Sequence, residues 1–154
     1  MPSRTSSARL SALRLLAERR VTEAQLWSRL LRKGYAHEDV RCAVEACKVD
    51  GYVDDGLFAR LFVEGKRKAV GDARLVAELV RRGIGREAAA AAVEQAPTGE
   101  GERLQAAIDQ LFRSRPALSY PSAARSLERL GFPTPAIYRG LRERIGRAPG
   151  AFDR

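Results

Sequence analysis

Apolar side chains recur along this chain at intervals of three and four residues, the spacing that gathers them on one face of an α-helix, and glycine or proline cuts the pattern into short blocks. Runs of alternating, β-branched residues are missing, so the pattern predicts an all-α protein. Residues 1–7 read as a polar arm. Leu10, Leu13, Leu16 and Ala17 then form the face of a first helix ending near Arg20. Thr22 opens a second, with Gln25 completing a capping box and Val21 and Leu26 a hydrophobic staple. Leu26, Trp27, Leu30 and Leu31 face inward until Gly34 stops that helix and Tyr35 turns back to the core. A third helix from about Glu38 to Lys48 carries Val40, Ala43, Val44 and Cys47, and Gly51 ends it.

The next block, residues 52–84, reads as two helices joined by a glycine turn. Asp54 stands where an N-cap belongs, with Val53 and Phe58 spaced as a staple. Leu57, Phe58, Leu61 and Phe62 give the first apolar face; Gly71 and Asp72 break and restart the chain; Leu75, Val76, Leu79 and Val80 give the second. Gly83 stops that helix and Ile84 returns to the core.

The same grammar appears three times. The stop glycines Gly34, Gly83 and Gly131 are each followed by a large apolar residue (Tyr35, Ile84, Phe132) and preceded four positions earlier by leucine (Leu30, Leu79, Leu127). Six residues after each glycine come Val40, Ala89 and Ile137, and ten after it Val44, Val93 and Leu141. A period near 50 residues lies in the range of helical repeat architectures. The expected fold is therefore an elongated array of three tandem three-helix repeats, residues 8–50, 51–96 and 97–146, with a tail at 147–154. Repeat two closes with a helix from Arg86 to Gln95, and PTGEG at 97–101 is the clearest linker. Leu104, Ala107, Ile108, Leu111 and Phe112 mark a helix over 101–114. Pro116 and Pro121 bracket a connection, and Thr134 as cap with Pro135 behind it opens a last helix ending near Ile145.

Within the middle repeat, Asp54-Asp55, Phe58-Ala59, Phe62-Val63, Gly71, Leu75, Glu78-Leu79 and Gly83-Ile84 resemble the signature of the RecX regulatory proteins, and the likeness extends at lower density to both ends of the chain. The resemblance implies a partner, the RecA protein filament on single-stranded and secondarily double-stranded DNA. It also implies an activity, modulation of recombinase, ATPase and coprotease function in DNA repair and the SOS response. A monomer without cofactor is expected. Two residues depart from the pattern: Gly65 falls inside the first helix of the block, at about 1 kcal/mol relative to Ala, and Asp72 follows the turn glycine where the family often has a neutral residue.

Composition sharpens this reading. Lys and Arg number 28 against 19 acidic residues, a net charge of +9 that suits a polyanion, although solubility alone can also account for it. The basic residues are placed. Arg74, Arg81 and Arg82, with Glu78, fall opposite Leu75 and Leu79 on one helix; Arg29, Arg32 and Lys33 do the same one repeat earlier. An arginine precedes each stop glycine by two positions (Arg32, Arg81, Arg129), and Lys66, Arg67 and Lys68 add charge to the middle repeat. A cation in the last turn of a helix also offsets the macrodipole, which would put Arg there without a ligand. Between Tyr35 and Glu64, by contrast, seven acidic residues outnumber three basic ones, so that stretch is not expected to face a phosphate backbone; basic helix faces beside an acidic region are compatible with contacting a polyanion and a protein at once.

Other chemistry is weakly signalled. Asp54 and Asp55 could pair on a divalent cation, but capping accounts for Asp54 and no third carboxylate clusters with them in sequence, so no metal site is expected. The single histidine, His37, precedes a helix, and no phosphate loop or nucleophile motif occurs; an enzyme is not expected. Cys42 and Cys47 suit neither a helix-face pair nor a zinc site and read as reduced, apolar side chains. With no apolar run near the roughly 18 residues of a membrane span and arginines interrupting the N-terminus, a cytoplasmic protein is expected. A helix-turn-helix transcription regulator is the alternative; it would concentrate base-reading side chains on one recognition helix. A structural adaptor with no DNA contact is a third reading.

Overall fold

The computed structural model describes residues 3–66 and 68–147; the expected tail beyond Arg147 lies outside them. The described residues form nine helices and no strand: α1 (Arg4–Glu18), α2 (Glu23–Arg32), α3 (His37–Val49), α4 (Asp55–Glu64), α5 (Asp72–Arg81), α6 (Arg86–Glu94), α7 (Glu100–Ser114), α8 (Tyr120–Arg129) and α9 (Thr134–Arg147). They gather in threes. Helices α1–α3, α4–α6 and α7–α9 each surround their own cluster of buried side chains, called units 1, 2 and 3 below. No helix among the described residues is long and apolar enough to cross a membrane.

The second helix of each unit ends in the same way. Gly34, Gly83 and Gly131 have φ of 94°, 92° and 89°, the left-handed region that a side chain resists. In each case the next residue's N–H reaches back to a leucine carbonyl, Tyr35 to Leu30, Ile84 to Leu79 and Phe132 to Leu127, at 3.4, 3.2 and 3.3 Å. This is a Schellman closure, and it explains why leucine and a large apolar residue bracket every stop glycine. Leu30, Leu79 and Leu127 are fully buried. At the other end of α2 the capping box is complete: Thr22 Oγ1 accepts from the Gln25 N–H and Gln25 Oε1 accepts from the Thr22 N–H. Asp54 Oδ1 likewise accepts from the Leu57 N–H at 2.9 Å.

Several sequence expectations are corrected. The polar arm is helical from Arg4, because Ser3 caps α1 by accepting from the Ser6 N–H. The buried face of α1 is Ala8 and Ala12; Leu10 is half exposed, and Leu13 and Leu16 are only partly covered. A face of methyl groups lets α1 lie close against α3, and close packing selects that face over the bulkier leucines. In α4 the buried residues are Ala59 and Val63, whereas Leu61 is exposed and Phe58 and Phe62 are partly buried. Val53 packs with unit 1 and Phe58 with unit 2, so the expected staple joins no single core. Gly65 is the residue that caps α4, not one inside it, and carries no helix-interior penalty. Thr134 is already helical and Pro135 takes the second position; α9 runs to Arg147, past the expected end near Ile145.

Adjacent units are joined by one arrangement used twice. The carbonyl before a stop glycine accepts a hydrogen bond from the residue capping the second helix of the preceding unit: Thr22 Oγ1 donates to the Arg82 carbonyl (2.5 Å), and the Gly71 N–H donates to the Leu130 carbonyl (2.8 Å). Alongside, the N–H of the first residue of that helix donates to a carboxylate opening the next unit, Glu23 to Asp55 (2.9 Å) and Asp72 to Glu100 (2.8 Å). The backbones come very close here. A Cβ at Gly71 would fall on the Gly131 carbonyl, and a Cβ at Gly83 on Ala24.

Candidate functional site

Because each joint sets the end of one unit's second helix beside the start of the previous unit's second helix, it also brings the last-turn arginines into clefts. Between units 1 and 2, Arg29 and Arg32 of α2 line one side of a cleft of about 340 Å³, and Arg81 and Arg82 line the other. Its remaining wall is Ala24, Gln25, Ser28 and Gly83, with no carboxylate among the described residues. Arg32 and Arg81 are exposed and Arg29 is half-buried. Lys33, which caps α2, is exposed but does not line this cleft. Like charges converging in a concavity raise its potential above that of the same residues scattered on a convex surface.

Between units 2 and 3 lies a larger cleft of about 860 Å³. Lys68, Arg74, Arg113, Arg115 and Arg129 line it against one acid, Asp109, whose Oδ1 lies 3.7 Å from Arg144. Among the described residues, Arg113 and Arg129 donate to neutral groups, Gln110 Oε1 and Ser126 Oγ, so their charges are not neutralised by those bonds. Arg113 and Arg115 escaped the sequence reading, because a basic pair at a helix end before Pro116 looks the same as dipole compensation. Only the joint brings them opposite Lys68 and Arg129.

The middle repeat's basic stripe is divided by the structure. Glu78, expected on the outward side, is buried at 6% exposure and accepts from Lys66 Nζ at 2.5 Å and Arg74 Nε at 3.1 Å. Burial alone would push its carboxyl up, but the bonds and charges of Lys66 and Arg74 outweigh that and hold it below the usual carboxylate range. Arg74 also donates to the Arg129 carbonyl, across the joint. Arg82 donates to the Glu78 carbonyl and lies 4.5 Å from the centre of the Phe62 ring, with Lys66 over the same ring at 5.2 Å. Lys66, Arg74 and Arg82 are thus anchored around Glu78 and Phe62, whereas Lys68, Arg81 and Arg129 are open. Arg67 lies outside the described residues. Arg74, Glu78, Arg81 and Arg82, expected together on one outward side of α5, are divided accordingly: the helix lies where periodicity places it, but Glu78 is buried and draws Lys66 and Arg74 to it.

The acidic stretch of residues 35–64 is also less available than its composition suggests. Glu38 pairs with Arg41, Asp39 accepts from Thr5, Asp50 pairs with Arg9, and Glu45 pairs with Lys48. Asp54 caps α4 and Asp55 spans the joint to Glu23. Of the remaining signature residues, Leu75, Leu79 and Ile84 are buried in unit 2, Phe58 and Phe62 pack on that core with rings stacked at 6.4 Å, and Gly71 and Gly83 are the close approaches of the two joints. The signature is therefore chiefly the record of a core and its joints. The cysteines are free; Cys47 is fully buried, which pushes its thiol up.

Known proteins with this pattern give it a context. No family model matches the chain. A regulatory protein RecX of Mycobacterium avium is 33% identical over 116 residues, covering 74% of this chain and 65% of that protein. One from Deinococcus radiodurans is 36% identical over 137 residues, 86% of this chain and 65% of its own length. Among solved structures, RecX from Lactobacillus salivarius superposes with a TM-score of 0.80 at 17% sequence identity, over 91% of this chain and 96% of that one, a likeness of fold. A regulatory protein RecX of Thermus thermophilus matches along most of its length, 32% identical over 83% of this chain and 85% of its own; the chain belongs to the RecX family of regulatory proteins.

Proposed function

We propose that this protein binds the RecA nucleoprotein filament in the cytoplasm and restrains its recombinase, ATPase and coprotease activities during DNA repair and the SOS response, as a binding protein without catalysis of its own. Family membership supports RecA as the partner. The observation that carries the reading for this chain is the cleft between units 1 and 2, where Arg29, Arg32 and Arg81 meet beside the anchored Arg82, with no carboxylate in the lining among the described residues. Such a surface favours phosphates or acidic side chains, and a DNA-bound protein filament offers both. Arginine suits either, since its planar fork binds oxyanions in pairs of hydrogen bonds.

The test is RecA-dependent ATP hydrolysis on single-stranded DNA, with wild-type protein and the triple variant Arg29→Ala, Arg32→Ala, Arg81→Ala. Wild type is expected to suppress turnover and the variant to lose at least tenfold in potency. The folding cost should be modest, about 0.3–1 kcal/mol for each last-turn cation removed. No suppression by saturating wild type would remove the regulatory reading. Full potency in a folded triple variant would remove this cleft from it.

A further inference from the structure

We propose that the cleft between units 2 and 3 is a pocket for one nucleotide of a single-stranded nucleic acid, with its base on the apolar floor and the flanking phosphates on the rim of cations. The inference rests on the reading above and assigns a ligand to a surface that reading leaves unassigned. Its size of about 860 Å³ falls within the roughly 300–1,000 Å³ of clefts that enclose small organic groups.

The lining is divided in a way that a nucleotide matches. Ala69, Ala106, Ala107, Leu111 and Leu130 supply an apolar floor, which a phosphate backbone alone has no use for. Ala106 is exposed, so the floor is open to an incoming group. Around it stand Lys68, Arg113, Arg115 and Arg129, all exposed, with no carboxylate among their described bonding partners. The fifth lining cation, Arg74, is engaged by Glu78 and by the Arg129 carbonyl and helps to shape the wall. No aromatic side chain among the described residues lines the cleft, so stacking would use a guanidinium plane, which serves unstacked bases as rings do. A base in a duplex keeps its faces covered by its neighbours; only an unpaired base can lie on the floor. The occupant is therefore a single strand or a free nucleotide, and the test separates these.

Fluorescence anisotropy would follow the full-length protein binding a labelled thymidine oligonucleotide, the same oligonucleotide with abasic sugars, and the matching duplex. Competition with thymidine monophosphate completes the set. Wild type should bind the base-bearing strand at least tenfold more tightly than the abasic strand or the duplex. Ala106→Glu puts a carboxylate on the floor at an exposed helical site and should abolish that discrimination with an unchanged melting temperature. Arg113→Ala with Arg115→Ala should make the slope of log affinity against log salt shallower by about 1.4, roughly 0.7 for each single-strand phosphate no longer neutralised. Equal binding of abasic and base-bearing strands, or variants indistinguishable from wild type, would overturn the pocket. Saturable monophosphate binding lost in Ala106→Glu, with oligonucleotide binding untouched, would overturn the strand as its occupant. Because these measurements contain no RecA, the pocket can fail while inhibition of RecA stands, and inhibition can fail while the pocket stands.

Discussion

Replacing Glu78 tests whether the signature glutamate is an anchor for the middle unit or an exposed charge. Its side chain is 8% exposed and is flanked by Lys66 and Arg74, whose side chains are 25% and 37% exposed. Removing one member of a fully buried ion pair costs about 3–5 kcal/mol, because the other charge is left in low dielectric. Here the stranded cations reach water, which reduces the penalty, so Glu78→Ala should lose about 2–3 kcal/mol. Glu78→Gln keeps the shape and one acceptor and should lose about half as much, roughly 1–1.5 kcal/mol. Urea unfolding followed by far-UV circular dichroism gives both values. The single tryptophan, Trp27, sits in unit 1, so its fluorescence reports whether damage in unit 2 crosses the joint.

The pH dependence carries an independent sign. Glu78 titrates below its ordinary 4.5 in the folded protein, so the unfolded chain takes up the proton first as pH falls. Its contribution is then fully present above about 4.5 and disappears as pH drops through the lowered native value. The stability gap between wild type and Glu78→Gln should be widest near neutral pH and close in acid. A loss below about 0.5 kcal/mol in Glu78→Ala, the range of ordinary surface changes, or a gap that does not move with pH, would refute the account.

Other substitutions probe the joints and the core. Gly71→Ala places a methyl group on the Gly131 carbonyl and should weaken contact between units 2 and 3, seen as faster protease cleavage between them, while Gly99→Ala, which meets nothing within 4 Å, should not. Thr22→Val removes the cap of α2 and its bond to the Arg82 carbonyl together, and should cost about 1–2 kcal/mol in chemical denaturation. A thiol reagent should modify partly exposed Cys42 in the native protein and Cys47 only on unfolding; equal native rates would contradict the burial of Cys47.

Much of the local structure was legible in the residues because its causes are local. Thr22 with Gln25, Asp54 as a cap, and a leucine and a large apolar residue around each stop glycine act within a few positions of one another, so their spacing identifies the helix ends directly. Helical periodicity located α5 and its buried Leu75 and Leu79 for the same reason. What tertiary structure alone decided depends on residues far apart in sequence. The choice of Ala8 and Ala12 over the leucines of α1 follows from how closely α3 approaches, a distance that no periodicity contains. The inward turn of Glu78 is set by Lys66, 12 residues away, and by Arg74 on its own helix, which together offset the burial of a carboxylate. The clefts were beyond sequence reasoning altogether: an arginine in the last turn of a helix has the same dipole energy whether it faces water or another arginine. Only the joints, made where glycines admit close backbone contact, bring those from successive units face to face.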